Sequence, residues 1–310
     1  MPSLSSSELA NTGILFALIL AAGFIAGKAG LLPKASQTGL TNIILCVTMP
    51  CTILNSFFAE YDLALLKSLV FVLLVATCTQ GIGFATSLVF FRKQPHERNS
   101  VLRFGLIVCN CGFFGIPVLA TVLGSSVLPL GSIFLIPQRF AMWLLGIPAY
   151  LGSKQKLSSV LVQTFLHPCM IAVYAGLSVM LTSVSLPAAI TTSVSTLGLC
   201  TMPLAMLLVG SIFIEIKPSM LLEKNIYFYC LIRLVLIPGL VFLLCLLLGF
   251  GGDILRVSVL MAGMPAAAMT SLLAVRYDAD ERLASSLIVI STLLFFAMLP
   301  VWMTLFSFVP

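Results

Sequence analysis

The chain has 310 residues, of which 60% are hydrophobic and 8% charged, with a mean hydropathy of +1.16. Soluble domains carry about 25% charged residues, so this composition cannot build a water-facing surface and the chain is expected to lie in lipid. Its net charge of +6 comes from cations scattered over loop ends without a patch, which sets a nucleic-acid partner aside.

A spanning helix needs about 20 apolar residues. Apolar runs between polar breaks predict spans at 9–27, 38–58, 64–91, 100–123, 127–151, 166–183, 188–214, 225–249, 254–275 and 283–307. The expected class is an all-α integral membrane protein of ten spans. Residues 1–8 hold no Lys or Arg and include Glu8, so the positive segment of a cleavable signal is missing and the first run is expected to stay as a span.

Lysines and arginines set the orientation. Odd-numbered connections hold Lys28, Lys34, Arg92, Lys93, Arg98, Arg103, Lys154, Lys156, Lys217, Lys224, Arg276 and Arg282, whereas even-numbered ones hold only Lys67 and Arg256. Twelve against two places the odd connections in the cytoplasm and both termini outside a multi-pass protein of the cell membrane.

Short strings recur at one offset. Thr48-Met49-Pro50 in span 2 matches Thr201-Met202-Pro203 in span 7, Val101-Leu102-Arg103 resembles Ile254-Leu255-Arg256, and Ala22-Gly23 matches Ala175-Gly176, each 153 residues apart. Five spans per half is an odd number, so the second half (156–310) enters the membrane from the side opposite to the first (1–155). The pattern predicts a 5+5 inverted repeat, a design of secondary transporters whose substrate sites lie near the midplane between interrupted helices.

Pro50 and Pro203 are read first as kinks that shape a scaffold, with Asn55 and Ser56, one turn beyond Pro50, as minor candidates for substrate contact. Span 4 carries Asn110-Cys111-Gly112-Phe113-Phe114-Gly115-Ile116-Pro117, whose glycines and proline should interrupt it near its centre. The offset pairs it with Gly263-Met264-Pro265-Ala266-Ala267-Ala268-Met269-Thr270 in span 9. Backbone groups freed at this depth must line a protected cavity, because lipid cannot satisfy them. The restarted helices each present about half a positive charge at their N-termini, which suits an anion, and Asn110 can add a side-chain donor. Asn110, Cys111, Gly112, Gly115 and Pro117 therefore form the expected substrate site together with Met264, Pro265, Ala266 and Thr270.

Span 5 places Gln138 and Arg139 at mid-membrane, where an arginine costs about 2.5–3.5 kcal/mol on insertion scales and faces a cavity or a partner. Arg139 is expected to attract an anionic substrate, with Gln138 beside it. Arg233, about nine residues into span 8, is a further minor site candidate, expected first to be neutralised by backbone carbonyls or to snorkel outward. Every acidic residue, including Glu60 and Asp62, sits at a loop or helix end, so an acid for cation binding or proton relay is missing from the mid-membrane positions. His167, beside Pro168, is read as an interfacial hydrogen-bonder. The nine cysteines form no C-x-x-C pair, and Cys109-x-Cys111 is too tight for the usual zinc spacing. They are read as packing residues, and neither a metal nor a cofactor is expected.

With Asn110 through Gly115-Ile116-Pro117, Met264-Pro265, Ala274-Val275-Arg276-Tyr277, Leu299-Pro300 and the Arg233-Leu234/Pro238 pattern, the sequence resembles the auxin efflux carrier family over nearly its whole length. That resemblance implies a fold related to the bile-acid/sodium symporters, with broken crossing helices in spans 4 and 9. It also implies a scaffold of spans 1, 2, 6 and 7, often dimeric, and a transport domain of spans 3–5 and 8–10 that moves in elevator fashion. Asn110, Pro117 and Pro265 take the crossover role by position. The long cytoplasmic loop of plant members is absent, and Ala266-Ala267-Ala268 replaces a more polar stretch. The expected cargo is accordingly a small carboxylate carried by a bacterial-type member. A sodium- or proton-coupled symporter is the alternative within transport. A membrane ligand sensor that keeps the carrier fold is the alternative of another class, distinguished by binding without flux.

Overall fold

Prolines punctuate the apolar stretches, and the computed structural model shows how the helices absorb them. It describes residues 6–58, 63–151, 157–182, 184–215 and 223–308. Lys154, Lys156, Lys217, Glu60, Asp62 and the expected boundary at 155/156 lie outside the described residues.

In chain order the helices are α1 (Ser6–Lys28), α2 (Lys34–Ile43), α3 (Met49–Ser56), α4 (Leu63–Val89), α5 (His96–Ile107), α6 (Ile116–Val122), α7 (Leu128–Ala141), α8 (Ile147–Leu151), α9 (Leu157–Phe165) and α10 (Pro168–Thr182). They continue as α11 (Ala188–Leu199), α12 (Thr201–Ile212), α13 (Lys224–Leu231), α14 (Ile237–Leu247), α15 (Gly252–Ala262), α16 (Met269–Arg276) and α17 (Glu281–Phe306). Among the described residues there is no strand, only one isolated bridge.

Among the described residues there are four π turns, Ile44–Thr48, Met142–Gly146 and Ile232–Leu236 joining consecutive helices and Cys111–Gly115 leading into α6. Each ends two residues before a proline, at Pro50, Pro117, Pro148 and Pro238. A proline ring clashes with the carbonyl four residues back and leaves it without a donor. Widening the preceding turn to the i→i+5 pattern relieves both problems while keeping the rod apolar and continuous.

Six helical segments among the described residues are long and apolar enough to cross a membrane: Ala35–Ser56, Ala64–Val89, Ser125–Leu151, Ala188–Ile212, Lys224–Leu247 and Glu281–Phe306. Shorter apolar helices cover Ile14–Lys28, Cys111–Val122 and Pro168–Thr182. Large apolar side chains such as Leu18, Ile25, Leu199 and Leu247 stand exposed along them, far more than water tolerates on a monomer. Two local differences from the sequence reading have clear causes. Helix α9 precedes α10, its polar Ser158, Ser159, Gln163 and Thr164 having hidden it from hydropathy, and Pro168 opens α10 where its missing N–H costs nothing. Helix α5 begins at His96, because polar residues at a span end are helical without being apolar.

The chain divides into two compact units. The first comprises Met1–Phe71, Gly112–Ile133 and Val162–Ile214. Within it α1 and α12 cross at close range: a Cβ at Gly23 would collide with the Leu207 carbonyl, and one at Gly210 with the Leu20 carbonyl. Small residues at such a crossing let backbones approach and gain van der Waals contact, the main attraction between helices in lipid. The second unit comprises Val72–Cys111, Phe134–Leu161 and Glu215–Pro310, and its interior holds Arg233, Tyr229 and Phe104.

Candidate functional site

The second unit contains two helix ends that stop in apolar surroundings. Helix α5 ends at Ile107, and Val108 turns extended, with φ −116° and ψ 113°. Helix α15 ends at Ala262, capped by Gly263, whose N–H reaches the Val259 carbonyl at 2.9 Å. Pro265 cannot donate, and a proline holds the residue before it away from helical geometry, so the chain stays open until α16 begins at Met269. The two open segments meet antiparallel. Cys109 bridges to Ala266, and the Asn110 N–H donates to the Pro265 carbonyl at 2.8 Å. The Ala266 N–H donates to Ser291 Oγ of α17 at 3.0 Å. Each freed group named here has found a partner inside protein, as the absence of water demands.

Arg233 holds three further carbonyls. It is 2% exposed and donates through Nε to the Met264 carbonyl and through Nη1 to the Leu106 carbonyl, each at 3.0 Å. Its Nη2 donates to the Ala262 carbonyl. The Leu106 and Ala262 oxygens lie at the ends of α5 and α15, where the helix dipoles concentrate about half a negative charge apiece, and the Met264 oxygen belongs to the open segment after α15. One guanidinium therefore neutralises both broken ends with charge-assisted bonds. Of the two fates expected for this residue, the structure places it on backbone carbonyls. The π turn Ile232–Leu236 carries it, Tyr229 donates to the Gly105 carbonyl at 2.9 Å one turn earlier, and Trp302 donates to the Leu234 carbonyl at 3.2 Å.

The side chains around this crossing differ in how far they are engaged. Asn110 is 2% exposed, and its Nδ2 has no hydrogen-bond partner. Thr270 is fully buried with its Oγ1 likewise unpartnered, while its carbonyl accepts from Tyr150 at 3.2 Å. Gln138 is occupied: its Nε2 donates to the Cys109 carbonyl at 2.6 Å and its Oε1 accepts from the Cys109 thiol at 3.6 Å. The Cys111 thiol donates to the Met261 carbonyl at 3.0 Å and lies 2.8 Å from the Cys109 sulfur. Both cysteines are free and do more than fill space. Arg139 is half-buried. Gln80 of α4, absent from the sequence-derived set, is buried with Oε1 unpartnered. It lies one turn from Gly83, where a Cβ would sit 2.8 Å from the Leu106 carbonyl. Its signal was available: it is the one amide in the apolar run Leu63–Val89.

Thus Asn110, Cys111, Gln138, Met264, Pro265 and Ala266 come together in the second unit, with Thr270 at the start of α16. Gly112, Gly115 and Pro117 belong to the first unit, in the π turn and at the start of α6, where Phe114 packs against Phe16 with ring centroids 6.1 Å apart. Pro50 opens α3 and Pro203 lies in the first turn of α12. Between them Thr52 Oγ1 donates to the Gly198 carbonyl at 2.9 Å and lies 2.8 Å from Thr201 Oγ1. Ser56 donates to the Ile53 carbonyl at 2.6 Å and lies 3.3 Å from Ser132 Oγ, and Asn55 is half-buried. His167 Nδ1 accepts from the Cys169 N–H at 3.2 Å, capping the start of α10.

The family described as "Membrane transport protein" matches this sequence over residues 13–158 and 153–303. An uncharacterized transporter of Methanothermobacter thermautotrophicus is 25% identical over 285 residues, covering 90% of this chain and 92% of that protein. A second uncharacterized transporter, from Methanocaldococcus jannaschii, is 25% identical over 304 residues, covering 93% of this chain and 96% of that protein.

Proposed function

For a chain that belongs to the membrane transport protein family, of the auxin efflux carrier type its crossing motifs resemble, we propose a carrier of small organic anions that binds them at the Asn110–Pro265 crossing. The observation that carries this reading is electrostatic. Arg233 is buried among helix-end carbonyls, and among the described residues no Asp or Glu is buried. Among the described residues the interior of the unit thus holds a cation and no buried carboxylate that would repel an anion. Asn110 Nδ2 is a buried donor without an acceptor, a state costing about 1–3 kcal/mol that a bound carboxylate oxygen removes. Thr270, in the first turn of α16, adds a hydroxyl beside the positive end of a helix dipole. Arg139 supplies a second cation that draws the anion in.

The multi-pass chain is proposed to cross the cell membrane ten times as two inverted halves, 1–155 and 156–310, with both termini outside. Its recurring strings at one offset and its lysine and arginine asymmetry support that arrangement. Spans 1, 2, 6 and 7 form the scaffold, which pairs as a homodimer. Spans 3–5 and 8–10 carry the substrate by an elevator movement. The division of the chain supports this partition, since α1–α3 and α10–α12 share one unit and α13–α17 the other, with Gly112–Ile133 assigned to the first. Export needs no coupling ion on this account, because a monovalent anion leaving a negative interior gains about 2.3 kcal/mol per 100 mV.

Reconstituted vesicles test the proposal. Carboxylate efflux should rise when the interior is made negative and fall when the potential is collapsed. Flux that requires a sodium gradient and ignores potential would replace it with a symporter.

A further inference from the structure

Where α4 gives way to α5, the second unit holds a cavity of about 470 Å³, within the size range of small-ligand pockets. Ser87 and Leu88 line it from α4, Arg92 from the turn, and His96, Asn99 and Arg103 from α5. Its frame is fixed. Phe91 takes a left-handed conformation at φ 65°, and its carbonyl accepts from Asn99 Nδ2 at 2.6 Å and from the Gln94 N–H at 3.0 Å. Arg92 Nε donates to the Leu88 carbonyl, and His96 Nε2 lies 3.2 Å from the Tyr150 carbonyl.

Among the described residues neither lining arginine meets a carboxylate. Arg103 Nε is a buried atom without a hydrogen-bond partner. Glu223 and Asp280 are engaged by Arg98, and Glu97 is exposed and not part of the lining. The matched arginine of the other half makes the contrast plain: Arg256 lies 3.8 Å from Asp253 on its own helix, whereas the corresponding place before Arg103 holds Ser100. On the other side of the cavity Leu88 and Val89, 37% and 61% exposed, end a 27-residue apolar helix.

We infer that this cavity binds the phosphate headgroup of an anionic phospholipid, the guanidinium groups of Arg92 and Arg103 gripping phosphate oxygens while the acyl chains leave over Leu88 and Val89. Guanidinium forks match phosphate geometry bidentately, and basic pockets between membrane helices take anionic headgroups. A headgroup fits this place better than a soluble phosphate because the cavity joins a polar turn to an apolar, exposed helix end.

The test uses the full-length purified chain in neutral detergent, titrated with phosphatidylglycerol, phosphatidylcholine, glycerol phosphate and inorganic phosphate, with bound molecules counted by native mass spectrometry. Phosphatidylglycerol should bind at least tenfold tighter than phosphatidylcholine. Arg92→Ala should weaken it about fivefold, as expected for one basic residue near an anionic surface. Arg92 is exposed, so this variant folds, and Arg103→Ala should weaken binding at least as much with unchanged elution and Tm. Equal retention of both lipids, or phosphatidylglycerol binding indifferent to Arg92→Ala, would overturn the assignment. Glycerol phosphate binding as tightly as the lipid would overturn the lipid as the ligand.

Discussion

At the first break in the second unit, Val108–Asn110 and the adjoining Cys111 carry an amide and two thiols. At the second, the six residues between α15 and α16 carry only methyl groups, a thioether, a proline ring and a glycine. Both breaks depend on the same guanidinium for their terminal carbonyls, and each supplies a backbone partner to the other. The second is closed further by Ser291, so its polar groups are spent on holding the chain open. The first keeps a buried donor in reserve at Asn110. Shared backbone geometry thus separates two duties: one segment positions, and the other is left with chemistry to offer a ligand.

Substitutions at these positions should separate the duties, and they rank by their cost in stability. Arg233→Met would strand three buried carbonyls, each costing about 1–3 kcal/mol, so a loss of at least ~3 kcal/mol should show as a collapse of Tm in detergent. Arg233→Lys should recover part of it, because one ammonium reaches fewer of the three oxygens. A wild-type Tm for Arg233→Met would mean that the two breaks do not share a cap. Ser291→Ala acts on the second break alone and should cost about 1–3 kcal/mol by leaving the Ala266 N–H unsatisfied. Gln80→Leu removes a buried acceptor that has no donor, so its Tm should hold within ~0.5 kcal/mol of equivalent stability, or rise. Its effect belongs in the ranking of carboxylates by flux; an unchanged ranking would exclude Gln80 from the site.

How much of this was legible in the sequence depended on whether the cause was local. The break in span 9 was legible because Pro265 acts on its own turn, whereas the break in span 4 falls at Val108–Asn110, just ahead of Gly112, Gly115 and Pro117, which lie in the π turn and at the start of α6. The prolines also marked where the rods would deform, although the π form of those turns follows from the carbonyl each ring displaces and is not written in hydropathy. Arg233 was visible as a cation in an apolar span, yet its three acceptors lie 127, 29 and 31 residues away and exist only once two other helices have broken. Gln138 was read as a substrate ligand, and nothing in span 5 could show that the Cys109 carbonyl would occupy it. Gln80 was passed over although it is the one amide in its apolar run; that the end of α5 lies against its helix at Gly83 could not be read from that run.

The claim that the first break binds an anion through Asn110 is tested most directly by melting wild-type and Asn110→Ala protein against a panel of small mono- and dicarboxylates. A ligand at 100 times its Kd stabilises the folded state by about 2.7 kcal/mol, enough to read as a clear shift. The prediction is a carboxylate that raises the wild-type Tm and leaves the variant unmoved, with the ligand-free variant melting at or above wild type because it lacks the orphaned donor. The same carboxylate raising both proteins equally would contradict it.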